Sequence, residues 1–294
     1  MRKAESGQAL VLVLLSLSVV LTLILYILSR SVTDVAISSR QEEAVRAFSA
    51  AEAGIERSLV TGQGYTNESI GNAKYTTTVG EIAIGGPDYP FPNPISSGDT
   101  VTVWFVSHDE NGNLICSIPP DLTNPCFTGS SIDICWGNPG TAPGDTSPAI
   151  ETTVYYDLTP GGAWQIQVGR AAIDPYGAGH GNTFDTSLSD GICQIGTQTY
   201  AFHKIINFSE INIPSGVYGT VNGLQLAQIK MFYNSVPQVI GVKVDGYLPS
   251  QGKQIDSSGV AGDSNRRVVV FQGWPEFPFS SNTLISPNGI IKNP

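Results

Sequence analysis

The chain has 294 residues, a net charge of −10 and only 14% charged residues, against 32 Gly and 19 Pro. Many Gly and Pro with few charges suit short strands and frequent turns, and argue against a helical bundle or a disordered chain. The acidic balance excludes an electrostatic nucleic-acid binder, so no direct nucleic-acid binding is expected, and three His and four Cys give little basis for a metal cluster or haem.

Residues 1–7 (MRKAESG) are short and polar. Ala9 to Leu28 then runs without one charge, interrupted only by Ser16, Ser18 and Thr22. Twenty residues at 1.5 Å each span a bilayer core of about 30 Å, and the three hydroxyls can bond to carbonyls of the preceding turn. Arg2 and Lys3 flank one end, Arg30 and Asp34 the other, which favours an N-terminus inside and a C-terminus outside. The run is too long for the core of a signal peptide and lacks a small-x-small exit, so a retained span, 9–28, is expected rather than cleavage after it.

Residues 29–61 continue as an amphipathic helix. Val45, Phe48, Glu52, Ile55 and Leu59 recur at threes and fours, apolar but for Glu52, with Arg40, Glu42, Glu43, Arg46, Glu56 and Arg57 opposite. Ala44, Ala47, Ala50, Ala51, Ala53 and Gly54 keep the segment thin, so another backbone can approach closely. Gly62-Gln63-Gly64 stops it. The expectation is one helix over 8–61, about 50 residues and roughly 75 Å long.

The leader ending in Gly7, the apolar helix, and the string Ala47-Phe48-Ser49-Ala50-Ala51-Glu52-Ala53-Gly54-Ile55-Glu56 resemble the N-terminal region of PilX-like minor type IV pilins. The resemblance covers about the first 60 residues. Further on, only the passage from Ile255 to Val260 leading to Arg266–Val270 resembles a late strand pair of such proteins. The resemblance implies removal of residues 1–7 by a prepilin peptidase between Gly7 and Gln8. It also implies filament or head packing through Phe48, Glu52, Gly54, Ile55 and Leu59, with other pilin subunits and the membrane as partners. Gln8 stands where major pilins carry Phe, and Leu12 where they carry Glu. These departures favour a minor subunit, and the second removes a costly intramembrane charge and its pairing role.

From Tyr65 the period shifts towards two. Strands are expected over 74–84, 101–107, 114–118, 132–136, 150–158, 164–172, 200–208, 226–234, 239–244 and 266–271. Dense punctuation separates them at 87–94, 119–120, 138–148, 175–181 and 275–278. The fold class expected is therefore α+β: a long N-terminal helix, then a mostly antiparallel, sandwich-like β head over 62–294, subdivided near 138–148. Residues 1–61 hold six basic and six acidic side chains, so the whole net charge sits on the head.

All four Cys lie beyond the apolar run and read as two disulfides of an exported domain. Three pairings are possible. Cys116–Cys126 with Cys135–Cys193 is preferred, because the first closes a loop holding Pro119, Pro120 and Pro125. No C-x-x-C spacing supports zinc.

Asp109-Glu110-Asn111-Gly112-Asn113 begins like a calcium loop, but position 12 is Pro120, and Asn-Gly between strands reads better as a hairpin turn. Gly177–Gly181, around His180, reads as a mobile surface loop. His108 and His203 read as surface or paired residues. No Ser, Cys or carboxylate sits in a nucleophile-and-base pattern, so no catalysis and no cofactor are expected. Asn67-Glu68-Ser69 and Asn207-Phe208-Ser209 match a glycosylation pattern at near-chance level. Trp274–Phe279 reads as cover for a sheet edge, with an exposed binding patch as the rival. The function expected is a non-catalytic minor pilin assembled into, or capping, a surface filament. The alternative is an adhesin-like head displayed by a pilus or an anchor, its ligand unknown.

Overall fold

A computed structural model of the chain describes residues 6–109, 111–116 and 124–275. Helix α1 (Ser6–Thr61) comes first. Strands β1 (Tyr65–Ile70), β2 (Ala73–Glu81), β3 (Asp88–Pro90), β4 (Thr100–Trp104), β5 (Ser107–His108), β6 (Leu114–Ile115), β7 (Ser131–Trp136), β8 (Ala149–Asp157) and β9 (Ile166–Ile173) follow. Next come α2 (Gly177–His180), β10 (Cys193–Ile195), β11 (Gln198–Tyr200), β12 (Phe202–Asn207) and α3 (Ser215–Tyr218). The chain continues through β13 (Leu224–Phe232), β14 (Ile240–Val244), β15 (Gly252–Ala261) and β16 (Ser264–Gly273). The fold is α+β: one long apolar N-terminal helix and a largely antiparallel, sheet-rich remainder.

The chain divides into two compact units, Met1–Val79 with Ile255–Val270, and Gly80–Gln254 with Phe271–Pro294. The stretch 138–148, expected to mark a subdivision, lies inside the second unit. It joins β7 of one sheet to β8 of another, and Trp136 Nε1 donates to the Pro148 carbonyl at 2.8 Å, folding it back.

In the first unit α1 runs unbroken for 56 residues. Its apolar half is uncovered: every large side chain from Leu10 to Leu28 is about half exposed or more. Ser16, Ser18 and Thr22 donate to carbonyls one turn back, at 2.8–2.9 Å to Val13, Leu15 and Val19, which leaves no free hydroxyl on the apolar surface. The helix is long and apolar enough to cross a membrane. It ends as its sequence predicts: Gly62 turns left-handed (φ 69°) and its N–H caps the Ser58 carbonyl at 2.8 Å. A four-stranded sheet in the order β1-β2-β15-β16 completes this unit. β1 and β2 form a hairpin that the period-two pattern leaves unassigned on its first strand, with Glu68 opposite Tyr75 and a register shift past Tyr65 where Asn67 is left-handed.

The second unit is a sandwich of two four-stranded sheets, β12-β7-β14-β3 and β4-β13-β8-β9. Every pairing in them with a recorded register is antiparallel. Their inner faces share one core: Ile132, Ile134, Trp136, Ile206 and Val242 from the first, Val103, Ile150, Val154, Ala227 and Ile229 from the second. β3 lies within the Pro-rich stretch 87–94. As an edge strand it needs few backbone donors, which tolerates its terminal Pro90. β10 and β11 form a further hairpin that the pattern also misses, since each strand is only three residues long. The two disulfides are Cys116–Cys126 and Cys135–Cys193, with Cα separations of 5.6 and 6.0 Å.

Candidate functional site

The residues singled out on α1 fall on two faces. Ala47, Ala50, Ala51, Gly54, Ile55 and Ser58 are buried against the sheet of their own unit. Ala47, Ala51, Gly54 and Ser58 are spaced by four, three and four, so they form one ridge of small side chains. That ridge lets helix and strands touch backbone to backbone. A Cβ at Gly259 of β15 would stand 2.0 Å from the Ala47 carbonyl oxygen, and one at Gly54 within 2.8 Å of Ser257, Thr77 and Tyr75. Ser58 and Thr77 share a buried hydrogen bond of 2.9 Å. Arg57 donates to Glu68 and to the Tyr75 hydroxyl, both at 2.9 Å, and lies 4.0 Å over the Tyr65 ring. Glu43 accepts from the Asp263 N–H in the β15–β16 turn at 3.3 Å.

The expected stripe is therefore split between two faces. Gly54 and Ile55 pack inward, whereas Val45 (61% exposed), Phe48 (45%) and Leu59 (37%) face out with the exposed Glu52. The apolar stripe read from periodicity is left open, and the Ala/Gly face next to it carries the intramolecular packing. Gly7 and Gln8 lie in the first turn of α1, which begins at Ser6.

In the second unit, Gly177–Gly181, expected as a mobile loop, forms a helical turn bonded to its surroundings. Gly177–His180 is a short helix, and the His180 side chain is only 6% exposed. His180 Nδ1 lies 2.8 Å from Asp174 Oδ2 and Nε2 lies 3.0 Å from the Asp145 carbonyl, while its ring stacks on Tyr233 at 4.0 Å. Both partners are acceptors, so both ring nitrogens donate only in the imidazolium form. Burial opposes that charge, but the bonds to Asp174 and Asp145 outweigh it and raise the His180 pKa above its ordinary value. Burial likewise works against the Asp174 carboxylate. The Tyr176 N–H, the Asn182 amide and His180 together hold its pKa below the usual range.

His203 pairs with Asp133 at 3.1 Å. His108 is wedged between Trp104 and Trp274, with ring centroids at 4.4 and 4.8 Å, its Nδ1 buried and without a partner. Burial pushes its pKa down to about 4, so it is neutral at pH 7. Asp109 accepts from the N–H groups of Asn111 and Asn113, both at 2.8 Å, inside the β5–β6 hairpin. That is the turn expected in place of a calcium loop. Glu110 and Pro120 lie outside the described residues. Asp133, Cys135 and Cys193 bring ligand atoms within 4.8 Å of one another, but both sulfurs are in a disulfide and offer no thiolate. Trp274 is tied down, its Nε1 donating to the Ser250 carbonyl at 2.8 Å. The remainder of the aromatic stretch, from Glu276, lies outside the described residues. No known protein family, curated protein or solved structure matches the chain.

Proposed function

We propose that the chain is a minor type IV pilin-like subunit, held in the membrane by residues 9–28 and carried into a surface filament by α1, with a non-catalytic β-rich head. The observation that supports this most is the division of labour on one helix. Its second half docks on its own sheet through a ridge of Ala, Gly and Ser, while Val45, Phe48 and Leu59 stay open on the same helix as an apolar half that no described residue covers. A simple anchor needs no such second stripe. A subunit that packs helix against helix does, because the stripe gives neighbouring α1 helices an apolar seam outside the bilayer.

The reading requires a cut between Gly7 and Gln8. Arg2 and Lys3 resist entry into an apolar filament core, so uncut chains stay at the membrane. Gly7→Leu obstructs a tight peptidase site with a side chain. The variant is expected in the membrane with Met1 retained and its head oxidised, and absent from sheared filaments. Wild-type protein in filaments is expected to begin at Gln8 by mass spectrometry. Filament-borne protein that still carries residues 1–7, or normal incorporation of Gly7→Leu, overturns the reading.

A further inference from the structure

A cavity of about 360 Å³ opens on the second unit, where the start of β4 meets β3 and the segment that follows it. Its wall is aromatic, with Tyr89, Trp104, Phe271 and Trp274, yet it is not purely apolar. Tyr89 is only 6% exposed, and its hydroxyl has no hydrogen-bond partner among the described residues. Thr102 Oγ1, in the same wall, is buried and unpaired. Asn93 is exposed at the rim with its amide unengaged by any described residue. A buried polar group without a partner is destabilising and uncommon; Thr102 Oγ1 is one such group, and the Tyr89 hydroxyl beside it opens on the cavity with its bonding capacity free for a ligand.

The wall also says what kind of ligand. Among the described residues no lining side chain carries a charge, and His108, stacked on Trp274, is neutral at pH 7. A phosphate, a nucleotide or an amino-acid zwitterion would enter without a counter-charge, which desolvation forbids. A plain hydrocarbon would leave the Tyr89 hydroxyl unpaired. What remains is a neutral molecule with an apolar C–H face for the rings and hydroxyls at its edge. We propose that this cavity binds a neutral pyranose sugar, its C–H face against the aromatic wall and its hydroxyls on Tyr89 and Asn93. The Tyr89 hydroxyl both donates and accepts, and the Asn93 amide offers two donors and an acceptor, which suits vicinal hydroxyls. The aromatic wall is anchored. Gln251 accepts from the Trp104 backbone N–H at 2.8 Å and donates to the Trp104 backbone carbonyl at 2.9 Å, which fixes that residue's main chain, and the Ser250 carbonyl holds the Trp274 indole N–H. The site goes beyond the filament reading and does not rest on it, since an uncleaved, membrane-held chain carries the same cavity.

The test is saturation-transfer NMR on the full-length protein in zwitterionic, sugar-free micelles. The probes are glucose, galactose, mannose and N-acetylglucosamine, with glucuronate as the charged control. At least one neutral sugar is expected to receive saturation, strongest at its ring C–H protons. Asn93→Ala and Tyr89→Phe are each expected to weaken that binding about three- to tenfold, as loss of one hydrogen bond does, with unchanged melting temperature. Asn93 is exposed, so its variant keeps the fold in any case. No transfer from any of the four sugars at roughly 10 mM overturns the proposal, since even millimolar affinity would show there. So does unchanged transfer in the double variant, or equal binding of glucuronate.

Discussion

At the scale of single residues, His180 shows how neighbours decide a side chain's state. Its two acceptors require two donated protons, and the Asp174 carboxylate lies buried beneath them. A raised folded-state pKa contributes stability that is fully present below the unfolded value of 6.5 and is lost as pH rises through the folded value. The melting temperature is therefore expected to fall as pH rises from about 6.5 through the raised folded-state value, and His180→Gln to flatten that slope. A wild-type profile that is flat or rises over this range contradicts the charged pair. Asp174→Asn leaves the imidazole without its anion and is expected to cost about 3 kcal/mol near neutral pH, read by chemical denaturation.

At the scale of elements, the decisive contact is α1 on its own sheet. Backbone meets backbone at Ala47 and Gly259, so an added methyl has no room to move into. Gly259→Ala is expected to destabilise the full-length protein in micelles by about 2–3 kcal/mol. Phe48, one position along the helix from Ala47, is 45% exposed, and Phe48→Ala is expected to cost under about 1 kcal/mol. The same Phe48 variant is expected to lower the amount of protein in filaments, because it removes apolar surface from the open stripe. If Phe48→Ala shifts the denaturation midpoint as far as Gly259→Ala, the two faces of the helix have been assigned the wrong way round.

At the scale of the molecule, the second unit is a β sandwich held by two crosslinks of unequal span. Cys135 and Cys193 are 58 residues apart, Cys116 and Cys126 only 10. Restriction of the unfolded chain grows with loop length, so the long crosslink is expected to contribute about 4 kcal/mol and the short one about 3. Replacing Cys135 and Cys193 with Ala is expected to lower the melting temperature more than replacing Cys116 and Cys126. The gap should be widened by packing, since Cys135 and Cys193 are buried with Ile195 and Tyr200. All four cysteines of the native protein are expected to stay unlabelled when it is unfolded and alkylated without reductant.

Local chemistry alone carried the long helix, its hydroxyl back-bonds, its glycine stop, the alternation of most strands and the preferred disulfide pairing. Each of these depends on residues near in sequence or on a count. The hairpin at Asp109–Asn113 belongs with them, because its bonds close within four residues. Tertiary structure decided which face of α1 turns inward. Periodicity ranks faces by hydrophobicity and points to Phe48 and Leu59, but a sheet lying flat on a helix selects the thinnest ridge, and only Ala and Gly let Gly259 come so close. It also decided that Gly177–His180 is ordered, since the groups that hold His180 come from Asp145, Asp174 and Tyr233, far apart in the chain. The aromatic cavity was illegible for the same reason. Tyr89, Thr102 and Trp274 acquire a common wall only when strands distant in sequence are brought together, and an unpaired hydroxyl is a property of its surroundings that no single residue's identity reveals.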